Sequence, residues 1–307
     1  MASTDSDDSL PAATIEALTP ADLDAAVLLS TSALWNQGRA DWAMLLELGE
    51  GWGIRSRTPS GEVKLAASIV VLPYPSEGSG FSWVSMVLVL PEFRRRGFAA
   101  QLLRHAVGVL QARGLTPLLD ATPAGHAVYE QEGFCDTWGF ARYLRPAAAG
   151  PASRPVSSAP AGASCTTRPL HEDDWSAIAA LDRPAFGADR MPLLRSLAQR
   201  LPSAALIACE GARPTGFVLG RDGREAHQIG PLIAADDATA KALLRHALAS
   251  IEGPVYVDLL DRRKTLLPWL AAQGFAFQRP FMRMVHGAVA APGDASRIVL
   301  VAGPELG

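Results

Sequence analysis

Met86-Val-Leu-Val-Leu-Pro-Glu-Phe-Arg94-Arg-Arg-Gly97-Phe-Ala99-Ala-Gln-Leu-Leu103 is the stretch whose reading decides the fold. An apolar strand runs to Pro91, three arginines and a glycine follow, and a helix begins. That order sets bare backbone N–H groups and fixed positive charge at a helix N-terminus, the arrangement a pyrophosphate requires. Arg94, Arg95 and Arg96 can add charge-assisted hydrogen bonds. Gly97 lets the backbone approach an anion without a Cβ, and Ala99 keeps the first turn, Phe98 to Ala100, narrow.

Working outward, the spacing predicts a helix over 97–113, with Phe98, Leu102, Ala106, Val109 and Leu110 on one face and Gly114 as its stop. Upstream lie a short strand at 13–18, helices over about 20–33 and 38–49, and strands at 53–57, 63–72 and 81–90. Downstream come a strand at 115–121, a short helix at 123–131 and closing strands at 134–144. The pattern predicts an α/β (α+β) fold, a mixed, mostly antiparallel sheet flanked by helices.

That unit fills less than half of the 307 residues, so two domains are expected. Residues 146–164 hold 17 Ala, Pro, Gly or Ser in 19 positions, too little apolar surface to offset the ordering entropy. We read 146–165 as a linker between domains at 11–145 and 166–287. Residues 1–10 are read as a disordered tail and 288–307 as a C-terminal tail. The halves are related: Leu102-Leu-Arg-His-Ala106 recurs as Leu243-Leu-Arg-His-Ala247, Leu118-Leu-Asp120 as Leu259-Leu-Asp261, and Gly133-Phe134 as Gly274-Phe275, all at an offset of 141. Three matches in register indicate a duplicated domain.

Composition excludes several classes. A net charge of −3 offers no basic surface for nucleic acid or anionic lipid, and no apolar run approaches the ~20 residues of a membrane span. Cys135, Cys165 and Cys209 have no paired spacing, which argues against a disulfide framework or a thiolate metal site. Residues 1–10 lack the features of a secretory signal, and a cytoplasmic location is expected.

The run Val89-x-Pro91-x-x-Arg94-x-x-Gly97-x-Ala99-x-x-Leu102-Leu103 resembles motif A of the Gcn5-related N-acetyltransferases (GNAT), and Thr122-x6-Tyr129-x3-Gly133-Phe134 resembles their motif B. With its second copy, the chain is similar to tandem acetyltransferases of this family. The resemblance implies acetyl-CoA as co-substrate, no metal, and direct attack by a primary amine, of a small molecule or a peptide, in a ternary complex. It also implies a bulge in the strand 83–89 that splays it from 115–121. The wedge so formed would take the pantetheine arm, with backbone contacts at Val87, Leu88 and Val89 and the Val87 N–H polarising the thioester carbonyl.

By the same resemblance Tyr129 is the general acid, and Thr122 contacts the cofactor or caps the following helix. His126 and Asp120 are the candidates for the base. Trp35, Asn36, Asp41 and Trp42 border the acceptor. In the second copy Arg94, Gly97, Ala99 and Tyr129 become Ala235, Ala238, Ala240 and Leu270, while Asp236 and Asp237 enter at the helix start, where they would repel a pyrophosphate. One active and one degenerate domain are expected, as a monomer or homodimer. The rival reading is a noncatalytic acyl-CoA sensor or interaction protein.

Overall fold

The computed structural model describes residues 14–75, 80–147, 165–288 and 290–307. The expected tail at 1–10 and most of the linker lie outside the described residues. The first module runs β1 (Ile15–Ala17), α1 (Leu23–Ser32), α2 (Arg39–Leu48), β2 (Glu50–Arg57), β3 (Val63–Tyr74), β4 (Gly80–Val89), α3 (Phe98–Ala112), β5 (Leu115–Ala121), α4 (Pro123–Gln131) and β6 (Phe134–Arg145). The second repeats this order with β7 (Cys165–Pro169), α5 (Trp175–Phe186), α6 (Met191–Arg200), β8 (Leu206–Glu210), β9 (Arg213–Arg221), β10 (His227–Ala234), α7 (Asp237–Ser250), β11 (Val255–Leu260), α8 (Leu267–Ala272) and β12 (Ala276–His286). It then adds β13 (Ile298–Leu300).

The local reasons are plain. α3 buries Leu102, Leu103, Ala106, Val107 and Leu110 on one face and ends before Gly114, whose φ of +69° stops the helix. α7 starts at Asp236, whose side chain accepts from Thr239 N at 2.7 Å, the cap its sequence foretells. None of the described helices is long and apolar enough to cross a membrane.

The two modules do not sit side by side as closed units. Their strands form one thirteen-stranded sheet in the order β1-β2-β3-β4-β5-β12-β6-β11-β13-β10-β9-β8-β7. The closing strand of each module is therefore hydrogen-bonded to the other module: β12 pairs with β5, β6 pairs with β11, and β6 and β12 pair with each other. Phe140 and Phe281, which occupy equivalent positions in the two copies (281 − 140 = 141), stand directly opposite on β6 and β12. Their rings stack at 5.0 Å and 11°. A local two-fold axis passes between them.

The exchange carries buried charge. Arg142 on β6 donates to both oxygens of Asp258 on β11, at 2.8 and 2.7 Å, with both side chains essentially solvent-free. Arg283 on β12 does the same to Asp120 on β5, at 2.9 and 2.9 Å, and lies between the Trp83 and Trp138 rings at 4.3 and 3.9 Å. Arg142 and Arg283 are again 141 apart. Apolar packing follows suit. The cluster under α3 takes in Met284 of β12, and Tyr143 of β6 packs against the cluster under α7, while a third joins Trp42, Trp83 and Phe93 to Phe186, Phe217 and Leu306.

The segment 288–307, read as a tail, is structural. β13 wedges between β10 and β11, and the chain from Ile298 to Gly307 is buried apart from half-exposed Pro304. Trp83 Nε1 donates to the Pro304 carbonyl at 3.0 Å, which ties this strap to the first module.

Arg283→Met would leave Asp120 as an uncompensated buried charge, so a loss of about 3–5 kcal/mol is expected. A urea titration reads it; a loss below about 1 kcal/mol would show that the pair does not hold the exchanged strand.

Candidate active site

The anion turn has the form its sequence requires. Gly97 is the N-cap of α3 with φ +75°, a left-handed conformation an L side chain resists, and a Cβ there would meet only open space. Glycine brings no side chain to cap the first amides, and no acidic residue occupies the first turn. Arg94, Arg95 and Arg96 are exposed around it. Arg94 Nε donates to the Val89 carbonyl at 3.4 Å, and Arg96 sits over the Phe93 ring at 5.0 Å. The equivalent end of α7 is capped by Asp236 and carries Asp237. One helix start attracts an anion and the other repels it.

Beside this turn the sheet opens. β4 and β5 pair in parallel only from Gly80 to Trp83 against Leu115 to Leu118. Beyond, Met86 and Val87 together stand opposite Ile69 in a bulge. Met86 has φ +51°, and its carbonyl accepts from Ser68 Oγ at 2.8 Å. A non-glycine residue held there marks a feature fixed by its surroundings. The wedge is lined by Val84, Ser85 and Val87 on one side and Leu119, Asp120 and Thr122 on the other. The second module has the corresponding parallel pairing, His227–Ile229 with Val255–Val257, but its wedge is filled by β13.

The wedge of the first module leads into a pocket that both modules build. Tyr129, Trp35 and Gln37 come from the first, Arg279 and Phe281 from β12, and Glu305 from the strap. Burial pushes the Tyr129 phenol up to about 12, and its ring packs edge-on to Phe134. Glu305, 3% exposed, pairs through Oε1 with Arg221 Nη2. Arg221 Nη1 in turn donates to Asp41 Oδ1 at 2.6 Å, which also accepts from Arg200 Nη1 at 2.7 Å. Gly303 makes room for that carboxylate, since a Cβ on it would come within 3.0 Å of Glu305 Oε2. Four buried polar atoms along the pocket wall have no hydrogen-bond partner among the described residues: Gln37 Oε1, Ser85 Oγ, Arg279 Nε and Glu305 Oε2. Buried polar groups are ordinarily hydrogen-bonded, so these four atoms are available to water or to a ligand.

Family comparisons agree with this geometry. Residues 37–134 match the model described as acetyltransferase (GNAT) family, and residues 178–299 match that of an acetyltransferase (GNAT) domain. The chain belongs to the GNAT acetyltransferases, as a tandem of two domains. The uncharacterized N-acetyltransferase YitH of Bacillus subtilis is 24% identical over 192 residues, 62% of this chain. The match spans 65% of that relative, just under two thirds of its length. A Pyrococcus horikoshii crystal structure provisionally assigned as an acetyltransferase superposes with a TM-score of 0.72 at 18% identity, covering 97% of each chain. A tandem GNAT protein from the clavulanic acid biosynthesis pathway gives 0.57 at 16% identity, covering 92% of this chain and all of its own. These two likenesses are likenesses of fold.

Against this GNAT frame, the residues singled out from sequence divide. Val87 and Thr122 line the wedge with Tyr129 beyond them. Thr122 is the N-cap of α4, yet its side chain makes no cap hydrogen bond. Phe98 and Val89 are half-buried against the core, and the Leu88 side chain points into it. Trp35 borders the pocket. The other acceptor candidates do not.

Trp42 is a core residue, fully buried and donating from Nε1 to Ser30 Oγ at 3.2 Å. Asp41 is spent on Arg200 and Arg221 rather than open to a cationic amine. Asn36 docks the second module, donating to the Ala226 carbonyl and accepting from the Glu225 and Ala226 amides at 2.8–3.0 Å. Neither base candidate is placed for the work. Burial pushes the Asp120 carboxyl up and Arg283 draws it back, with both oxygens engaged by that guanidinium. His126 points away, pairing with Asp136 at 2.7 Å.

Gln37 lies in the break at 35–37 that the resemblance sets beside the acceptor; the pocket residues missed from sequence, Ser85, Arg279 and Glu305, lie far apart in the chain. The phenylalanines repeated at 140 and 281 and the arginines repeated at 142 and 283 are the signal in the sequence that the closing strands matter. Asn36→Ala would orphan the buried N–H and carbonyl of Ala226 and the part-buried Glu225 amide, so a loss of roughly 2–3 kcal/mol is expected in a denaturant titration. A substitution that left stability intact and changed only acceptor KM would restore Asn36 to the substrate side.

Proposed function

We propose that the chain transfers an acetyl group from acetyl-CoA to a primary amine in a ternary complex, at one site in the first module. The observation that carries this reading is the wedge under the Met86 bulge, open between an uncapped helix N-terminus at Gly97 and the pocket holding Tyr129. The chemistry of the parts suits the co-substrate: amides of Phe98, Ala99 and Ala100 with Arg94, Arg95 and Arg96 for the diphosphate, and the strand edge at Val87 to Val89 with Thr122 for the pantetheine. A second CoA site is disfavoured by Asp236 and by β13 in the corresponding wedge. A cytoplasmic location suits the three free cysteines.

In this reading the Val87 N–H stabilises the carbonyl oxygen as the amine attacks. Tyr129 supplies a proton to the departing sulfur; at a pKa of about 12 the phenol stays protonated throughout the neutral range. Glu305 Oε2, buried and unpartnered, takes the proton of the amine while Arg221 fixes the other oxygen.

The test is free-thiol release from acetyl-CoA against amines, amino acids and peptides, with coenzyme A binding followed by calorimetry. Tyr129→Phe is expected to lower kcat by about 10²-fold or more with little change in coenzyme affinity. The basic limb of the wild-type pH profile assigned to this phenol is expected above pH 10. Tight binding without thiol release against any amine would favour a sensor.

A further inference from the structure

Arg279 stands where a sheet would ordinarily avoid it. A bulge at Gln278 sets it directly opposite Arg142, since Phe277 faces Tyr143 and Arg279 faces Arg142. Like charges in cross-strand register are unfavourable, and bulges serve to re-aim side chains near functional sites. Only one member of this pair is neutralised: Arg142 is clamped by Asp258, whereas Arg279 forms no ion pair with a described residue and its Nε is buried without a partner. Both guanidinia lie against the same Phe281 ring, at 5.4 and 5.2 Å, which fixes their planes. Burial and the Arg142 charge hold the Arg279 guanidinium below its ordinary value, as expected of a cation short of counter-charge.

The remaining charges of the wall are accounted for. Arg283 is matched by Asp120 and Arg221 by Asp41 and one oxygen of Glu305. Besides the neutral Gln37 Oε1 and Ser85 Oγ, the charged groups that the pocket offers a small molecule are thus one open guanidinium edge, on Arg279, and one open carboxylate oxygen, on Glu305. We infer that the acceptor is a small amine that also carries a carboxylate, an amino acid, with Arg279 binding the carboxylate and the amine directed to Glu305 Oε2. This rests on the acetyltransfer reading above and adds the class of acceptor. A planar guanidinium presenting two N–H groups matches a carboxylate in bidentate fashion, which a lysine cannot reproduce.

The experiment compares L-amino acids and β- and γ-amino acids with their carboxamides and decarboxylated amines, with glucosamine, and with glucosamine 6-phosphate. The readout is thiol release by the full chain. A carboxylate-bearing acceptor is expected to exceed its carboxamide in kcat/KM by roughly 10- to 100-fold. Arg279→Gln is expected to erase that ratio, raising KM for the acid by a similar factor with a smaller change in kcat. Arg279→Lys restores it only in part. Coenzyme A binding to each variant by calorimetry reports whether the fold survives.

Equal use of acid and carboxamide by the wild type, or a ratio that survives Arg279→Gln, would overturn the carboxylate assignment and leave the acetyltransferase reading standing. Preference for glucosamine 6-phosphate over every amino acid would overturn it in favour of a phosphate. Coenzyme binding with no thiol release for any amine would bring down the acetyltransferase reading itself, and this inference with it.

Discussion

Arg142 reaches Asp258, and Arg283 reaches Asp120, only because each module gives its closing strand to the other. Both pairs are stripped of water, and an arginine or aspartate alone at such depth would cost far more than the pair returns. The exchanged strands, the stacked phenylalanines on the local axis and the shared apolar cluster therefore stand or fall together. Partners separated by 116 and 163 residues close long loops before any of this is gained, so the arrangement depends on both halves being folded.

The same exchange explains how one chain holds two copies of a scaffold and one site. The first module keeps a glycine at the start of α3, arginines around it and an open wedge. In the second, Asp236 satisfies the amide of Thr239 and β13 occupies the wedge. The scaffold lost there is put to use elsewhere: β12 and the strap past β13 supply Arg279, Phe281 and Glu305 to the pocket of the first module. Strands of the second module thus form the far wall of the pocket in the first.

Much of this was legible from residues alone where the signal was local. The strand, turn and helix around Arg94–Gly97, the span of β5 and α4, the bulge and splayed strand of the resemblance, and the aspartates at the start of α7 all depend on neighbours in sequence. What escaped depends on pairing across more than a hundred residues. Asp41 and Asn36 read as acceptor contacts because the resemblance sets the break at Asn36 and the start of α2 beside the acceptor, yet Arg221 and the backbone at Glu225–Ala226 claim them. Asp120 read as a possible base because it ends the strand that faces the expected wedge, and its partner Arg283 comes from 163 residues away. An Ala/Gly/Pro-containing stretch after 287 reads as a tail by composition, and tertiary packing overrides that in β13 and Glu305.

The swapped strands also change what kind of object this protein is. Two separate polypeptides that traded their last strands would form an obligate dimer, and dilution would dissolve the pocket along with the partnership. Here residues 146–164 tether the partners, so the second half is always present at a high effective concentration, set by linker reach rather than by expression level. Freed from the need to find an identical mate, the halves could diverge, one keeping the open helix start and wedge and the other lending the residues that close the pocket.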